Sequence, residues 1–375
     1  MLLCALGKPG RSQWNYWTRS FVWWSMPSTL YQRITLIAAT LFFPALIQAG
    51  PAAFATAQAR KAGHYVRAEA GRSVQLVAAD CVMERGNASW MRAALDNWES
   101  VRRQDLHVEE APLPWIIFFD ASCAWHLTPQ VPEMRGAPHN GHITLPDDSV
   151  IDVKVTSFSG TYGDDDRPYM VMALPDIWRG DSNLGREPQL DRLTRSVFVH
   201  EMTHTLQGHS PGVRLTNLQA RYKLPSDLSD DIIQDKFADA PGFRAAYEAE
   251  RDLLYRAAGE SDPPRRRRLV SEALDAMKKR RAKYFVGADA VYADLEDLFL
   301  NMEGVANWAG YRLASRESAS LPDAVAFMRR GGKHWSQDEG LALFLVIDAA
   351  VPGWQAQEFA ETPLSIVELL TKAAR

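Results

Sequence analysis

Cysteine is scarce in this chain: three in 375 residues, with no pair at the CxxC spacing of a metal knuckle or a dithiol redox centre. A cysteine-rich scaffold held by several disulfides is therefore excluded. Acidic residues are absent from the first 55 positions, which carry Lys8, Arg11, Arg19 and Arg33. No apolar run reaches the roughly 20 residues of a bilayer-spanning helix, and there is no internal repeat and no low-complexity tract. Without the four leading basic residues, 38 Lys and Arg face 46 Asp and Glu, a net charge near −8. A surface of that sign argues against nucleic acid as the partner, because such binders must neutralise phosphates.

What is present first is an export signal. Residues 34–48 (ITLIAATLFFPALIQ) form an apolar stretch behind Arg33, followed by Ala53-Phe54-Ala55 in the small-x-small pattern of a signal-peptidase site. We read residues 1–55 as a signal peptide, with an uncleaved anchor as the alternative. The stretch before Met26 is aromatic-rich (Trp14, Tyr16, Trp17, Trp23, Trp24), and Met26 itself would open an ordinary signal sequence. A periplasmic or secreted location follows, and there Cys81 and Cys123 are expected to pair.

The remainder, 46% hydrophobic and 23% charged over the whole chain, reads as globular. Apolar spacing predicts a helix over 88–103. The run Trp115–Phe119 predicts a central strand, with shorter strands at His142–Leu145, Val150–Val155 and Tyr169–Leu174. The last of these is expected to be an edge on which an extended substrate lies, and 160–167 (GTYGDDDR) is expected to be a loop. From 190 onward the pattern is helical: 190–207, 241–259, 264–285, 289–315, 321–330, 337–350 and 363–374. The basic clusters at 265–268 and 278–283 read as a solvated helix face. The expected class is α+β: a part at 56–210 with a small mixed or antiparallel sheet and the active-site helix, then a largely helical part at 211–375.

The chemistry concentrates in His200-Glu201-Met202-Thr203-His204. On a helix, residues i and i+4 share a face, so both imidazoles can reach one ion, while Glu201 is rotated toward a water rather than the metal. A chance HExxH occurs in about one chain in a hundred at this histidine content, so the flanks decide. Val197, Phe198, Met202, Thr203, Thr205 and Leu206 are all uncharged, as a helix buried beneath a metal requires.

This segment resembles the active-site helix of HExxH zinc metallopeptidases. The resemblance implies Zn²⁺ as cofactor, His200 and His204 as ligands, and Glu201 as general base for a water activated by the metal. The metzincin extension is displaced by one residue (Gly208, His209), which counts against His209 as third ligand. Asn301-Met302-Glu303-Gly304-Val305-Ala306-Asn307 instead resembles the third-ligand helix of gluzincins, which implies Glu303. Gly304 is expected to let the two ligand-bearing helices approach, and Asn307 stands where gluzincins often place an acid orienting a zinc histidine. Two alternatives stay open for the third position. Glu303 could be a structural carboxylate paired with a buried arginine, or Glu296, two turns earlier among residues that look solvated, could be the ligand. Unless Glu296 is the ligand, its replacement is expected to have little effect. The donor opposite the metal is open among Tyr311, His334, Tyr292, His209 and Tyr284.

The resulting expectation is an exported zinc-dependent peptidase acting on peptide or protein substrates. Hydrolysis of a cell-wall or lipid amide, and a catalytically silent zinc-stabilised binding protein, are the alternatives.

Overall fold

The computed structural model describes residues 81–375 apart from positions 164, 208, 226, 227, 330, 331 and 361. The expected export signal and Met26 lie outside the described residues. Those described belong to one compact α+β unit.

Helix α1 (Arg85–Gln104) precedes β1 (Trp115–Phe119), β2 (Cys123–Thr128) and β3 (Val131–Pro138). A two-stranded hairpin follows, β4 (His142–Thr144) with β5 (Val150–Asp152), and then β6 (Ser157–Tyr162) and β7 (Arg167–Ala173). The main sheet has the order β3-β2-β1-β7-β6. Strand β1 is its centre, parallel to β7 and antiparallel to β2, and Ile116 to Phe119 are completely buried. Such an unbroken buried run is what a strand covered on both faces demands. On one face Phe118 packs against Trp90 of α1 and against Phe198.

Two expectations about the sheet fail. The segment around Tyr169–Leu174 is an interior strand, because β6 pairs along its outer side from Ser157↔Met172 to Tyr162↔Arg167. The edge is therefore β6, whose second half was expected to be loop. Its Ser-Phe-Ser-Gly-Thr-Tyr sequence lacks apolar alternation, and Gly160 is held in place by tertiary contact: a Cβ there would lie 2.8 Å from the Tyr169 ring. Strands β2 and β3 were also not anticipated.

Beyond the sheet the chain is helical. The elements are α2 (Pro175–Gly180), α3 (Leu190–Gln207), α4 (His209–Tyr222), α5 (Ile232–Phe237), α6 (Phe243–Ala258), α7 (Pro263–Tyr284) and α8 (Tyr292–Arg316). After them come α9 (Leu321–Arg329), α10 (Trp335–Ala350), α11 (Trp354–Glu358) and α12 (Ile366–Ala373). Helix starts are set locally in places. Asp262 caps α7 ahead of Pro263, and Ser365 with Glu368 forms a capping box on α12. The short helices α2, α5 and α11, and the 14-residue α4, escaped the sequence pattern. None of the described helices is long and apolar enough to cross a membrane.

Cys81 and Cys123 are disulfide-bonded, with Cα atoms 6.0 Å apart, tying the segment before α1 to the start of β2.

Helix α8 is the axis of the helical part and is buried from Leu295 to Tyr311. Gly304 does not serve the approach of α3. It faces Gly340 where α8 crosses α10, and a Cβ on Gly304 would meet the Phe344 ring at 2.6 Å and the Gly340 carbonyl at 2.8 Å. The position that admits α3 is Gly310, where a Cβ would stand 3.1 Å from the Ser196 carbonyl. Gly304→Ala should therefore force α8 and α10 apart and cost about 1–3 kcal/mol, read from the midpoint of urea unfolding. An unchanged midpoint would contradict this crossing.

Candidate metal centre

Helix α3 is buried on nearly all sides, between the sheet, α1 and α8. Three of its threonines are satisfied within that setting. Thr194 accepts from the Trp90 indole at 2.9 Å, while the Thr203 and Thr205 hydroxyls donate to the Val199 and Met202 carbonyls. A helix so enclosed can display His200, Glu201 and His204 only inward.

The two imidazoles stand at 85° with Nε2 atoms 3.0 Å apart. Glu303 of α8, 1% exposed, completes the group: its Oε2 is 3.4 Å from His200 Nε2 and its Oε1 is 3.5 Å from His204 Nε2. Glu201 lies beside them, its Oε1 accepting from the Ser157 hydroxyl of β6 at 2.7 Å. His200, Glu201 and His204 each offer a donor atom within 4.8 Å of the others.

The tautomers follow from what holds the rings. Gln207 Nε2 donates to the Met302 carbonyl at 3.1 Å, which turns its Oε1 to His204 Nδ1 at 2.8 Å. His204 therefore carries its proton on Nδ1 and presents a lone pair at Nε2. His200 is hydrogen-bonded by the Asn307 side chain, whose Nδ2 has no partner, so the amide oxygen is the acceptor. Asn307 thus occupies the orienting place as a neutral acceptor instead of an acid. Both rings are steered by carboxamides, and their Nε2 atoms converge.

Burial dominates the electrostatics. It lowers the pKa of His200, and it lowers that of His204 to about 4. It raises that of Glu303, and that of Glu201 to about 7. Neutral imidazoles with facing lone pairs repel, and Glu201 Oε2 and Glu303 Oε2 have no hydrogen-bond partner among the described residues. A divalent cation fits this arrangement, in which two ring nitrogens and a carboxylate converge.

Glu296 has a different fate. Together with Glu250 it encloses the fully buried Arg280: Glu296 Oε1 is 2.7 Å from Arg280 Nη1, its Oε2 is 2.7 Å from Arg281 Nε, and Glu250 Oε1 is 2.5 Å from Arg280 Nη2. Its surroundings are not solvated, and its carboxylate pairs with a buried arginine. The buried carboxylate–arginine pairing considered for Glu303 is realised at Glu296 instead.

Of the open donors, His334 is the one whose charge is felt at Glu303, and Asp231 holds it at 3.1 Å. Tyr284 donates to the Pro241 carbonyl, and Tyr292 packs against Phe237 and Phe285. Tyr311 lies two turns beyond Glu303 on α8, near Arg312 and Asp348. The His209 side chain lies outside the described residues. Ser157, Asp231 and Gln337, which bonds Glu303, were not anticipated. Gln207 was visible one turn after His204, but nothing in the sequence marked the others.

This chain matches no model of a known protein family, no curated protein and no solved structure.

Burial opposes ionisation of Glu296, yet the Arg280 and Arg281 guanidiniums prevail and hold its carboxyl below 4.5. A depressed folded-state pKa contributes stability that is complete above the unfolded value and is lost as pH falls through the folded one. Glu296→Ala should cost roughly 3–5 kcal/mol at neutral pH by stranding Arg280. It should also flatten the loss of stability below pH 4.5. Denaturation across pH would refute this if the variant kept the wild-type acid limb.

Proposed function

We propose that the protein is an exported zinc-dependent hydrolase of the gluzincin-like HExxH type that cleaves peptide bonds. The observation that carries this reading is the convergence of His200 Nε2, His204 Nε2 and the Glu303 carboxylate within 3.0–3.5 Å, on two buried helices, beside the free oxygen of Glu201. A structural role alone leaves those groups mutually unsatisfied. The disulfide supports an oxidising compartment.

His200, His204 and Glu303 would hold the ion, and zinc there supplies a Lewis acid for a carbonyl oxygen and acidifies water. Glu201 does the proton work. The Ser157 hydroxyl occupies its Oε1, so Oε2 is the atom that takes the proton from an attacking water and returns it to the leaving amine. Burial, which raises its pKa toward neutrality, suits a group that must accept and then release that proton. Gln207 and Asn307 keep both rings in the metal-binding tautomer. His334, braced by Asp231, is the donor best placed to meet the developing oxyanion.

A peptide is favoured over a compact amide by β6. This strand is a sheet edge, and it begins at Ser157, in contact with the general base. An extended chain added along such an edge is held through its backbone, which suits varied sequences.

Zinc should co-purify at about one ion per chain, and His204→Ala and Glu303→Ala should each lose it with secondary structure retained. Full occupancy in either variant, measured by elemental analysis, would remove the centre. Glu201→Gln should bind zinc and melt normally, while hydrolysis of a casein or peptide-library substrate falls by at least a hundredfold. Wild-type turnover in that variant would rule Glu201 out as the base.

A further inference from the structure

Behind the metal centre, on the far side of Gln207 from His204, a small cleft, partly open to solvent, runs between α3, α4, α8 and α11. Its walls include Leu206, Pro211, Leu298, Met302, Phe359 and Pro363. The polar groups gather among Gln207, Asn301 and Glu358, with Arg214 also lining the cleft. Apolar walls with a few convergent polar atoms are the usual form of a small-ligand site.

Two of the polar atoms have no partner among the described residues. Asn301 Nδ2 donates to the Leu364 carbonyl at 3.3 Å, leaving Oδ1 without a partner. Glu358 Oε1 receives Gln207 Nε2 at 3.4 Å, leaving Oε2 without a partner. Both residues are at least nine-tenths buried, at 5% and 6% exposure. Both oxygens are closed off from solvent and have no partner among the described residues, which costs stability; in the empty cleft Glu358 keeps its proton at neutral pH, and a cation that displaces that proton meets two acceptors.

Charge points the same way. Arg214 is engaged by Asp297 at 3.0 Å, and that carboxylate also accepts from the Ile366 amide. The Arg214–Asp297 pair is neutral, so an ionised Glu358 has no counter-charge of its own. Burial pushes the Glu358 carboxyl up to about 8, against the pull of the Gln207 and Asn301 amides and of Arg214 and with the added push of Asp297. A calcium or magnesium ion would need about six oxygens, where this cleft offers two free ones and apolar walls. An anion would meet Glu358. A primary ammonium satisfies both acceptors, turns its third N–H to solvent, and lays its methylene stem along the walls.

We propose that this cleft is a binding site for a primary alkylammonium group, such as the end of a lysine side chain, seated on Glu358 and Asn301. The site does not rest on the proposed chemistry, although it shares Gln207 with the metal centre. Binding an ammonium ionises Glu358, so near neutral pH each guest should displace a proton from the protein.

The full chain is titrated calorimetrically with Nα-acetyl-lysine methylamide, with putrescine, and with Nα-acetyl-norleucine methylamide, which keeps the stem and lacks the charge. The lysine derivative should bind one to one, and the norleucine control at least tenfold more weakly. At pH 7 the heat should vary with the buffer's ionisation enthalpy as one released proton requires. Glu358→Gln should weaken lysine-derivative binding at least tenfold, and Asn301→Ala by a smaller factor, with melting curves checking that both are folded. Putrescine binding as tightly assigns the site to free amines; binding of the lysine derivative alone assigns it to a protein side chain. Absence of saturable heat with either amine, equal binding of the norleucine control, or full affinity in folded Glu358→Gln and Asn301→Ala would each overturn the proposal.

Discussion

Two imidazole lone pairs pointed at each other across 3.0 Å, with a buried carboxylate at 3.4–3.5 Å, form an arrangement that a folded chain does not tolerate without a cation or a proton to bridge it. Much of the molecule is arranged around that constraint. Helix α3 is enclosed on nearly every side, so its histidines cannot turn to solvent. Helix α8 brings Glu303 through the densest part of the core, and the amides of Gln207 and Asn307 fix which nitrogen of each ring carries the proton. Gln207 also binds the carbonyl of Met302, the residue before Glu303, so one side chain ties the end of α3 to the third member of the group.

The same helix shows how environment sorts identical side chains. Glu296 and Glu303 lie seven residues apart on α8, and both are buried. Glu296 meets two guanidiniums, and its charge is compensated within the protein. Glu303 meets two neutral imidazoles, and its charge is not. That difference makes the first a structural residue and the second a candidate ligand. It arises from which helices pack beside each turn: α7 supplies Arg280 and Arg281 at Glu296, and α3 supplies His200 and His204 at Glu303.

The sheet serves the centre by position. Strand β1 is buried on both faces and carries no candidate group. Strand β6, at the edge, delivers Ser157 to Glu201. Had the sheet ended at β7, the strand expected to be its edge, Glu201 would lack this partner.

The α+β class, the centre strand, the boundaries of α3 and the placement of His200, Glu201 and His204 on one helix were legible from local pattern, whereas Glu303 was singled out by resemblance with Glu296 open beside it. Helical spacing puts His200 and His204 on one face, and an acid within an apolar helix needs a partner wherever the helix packs. Tertiary structure alone decided the rest. Whether Glu296 or Glu303 met arginine depended on helices more than ten residues away in sequence. The use of Gly304 depended on α10, and the edge strand depended on pairing that a Ser- and Gly-containing segment does not advertise. Glu358 carries no local signal at all. Periodicity records which face of an element is buried, whereas the identity of the neighbour across that face is set by how the elements are assembled.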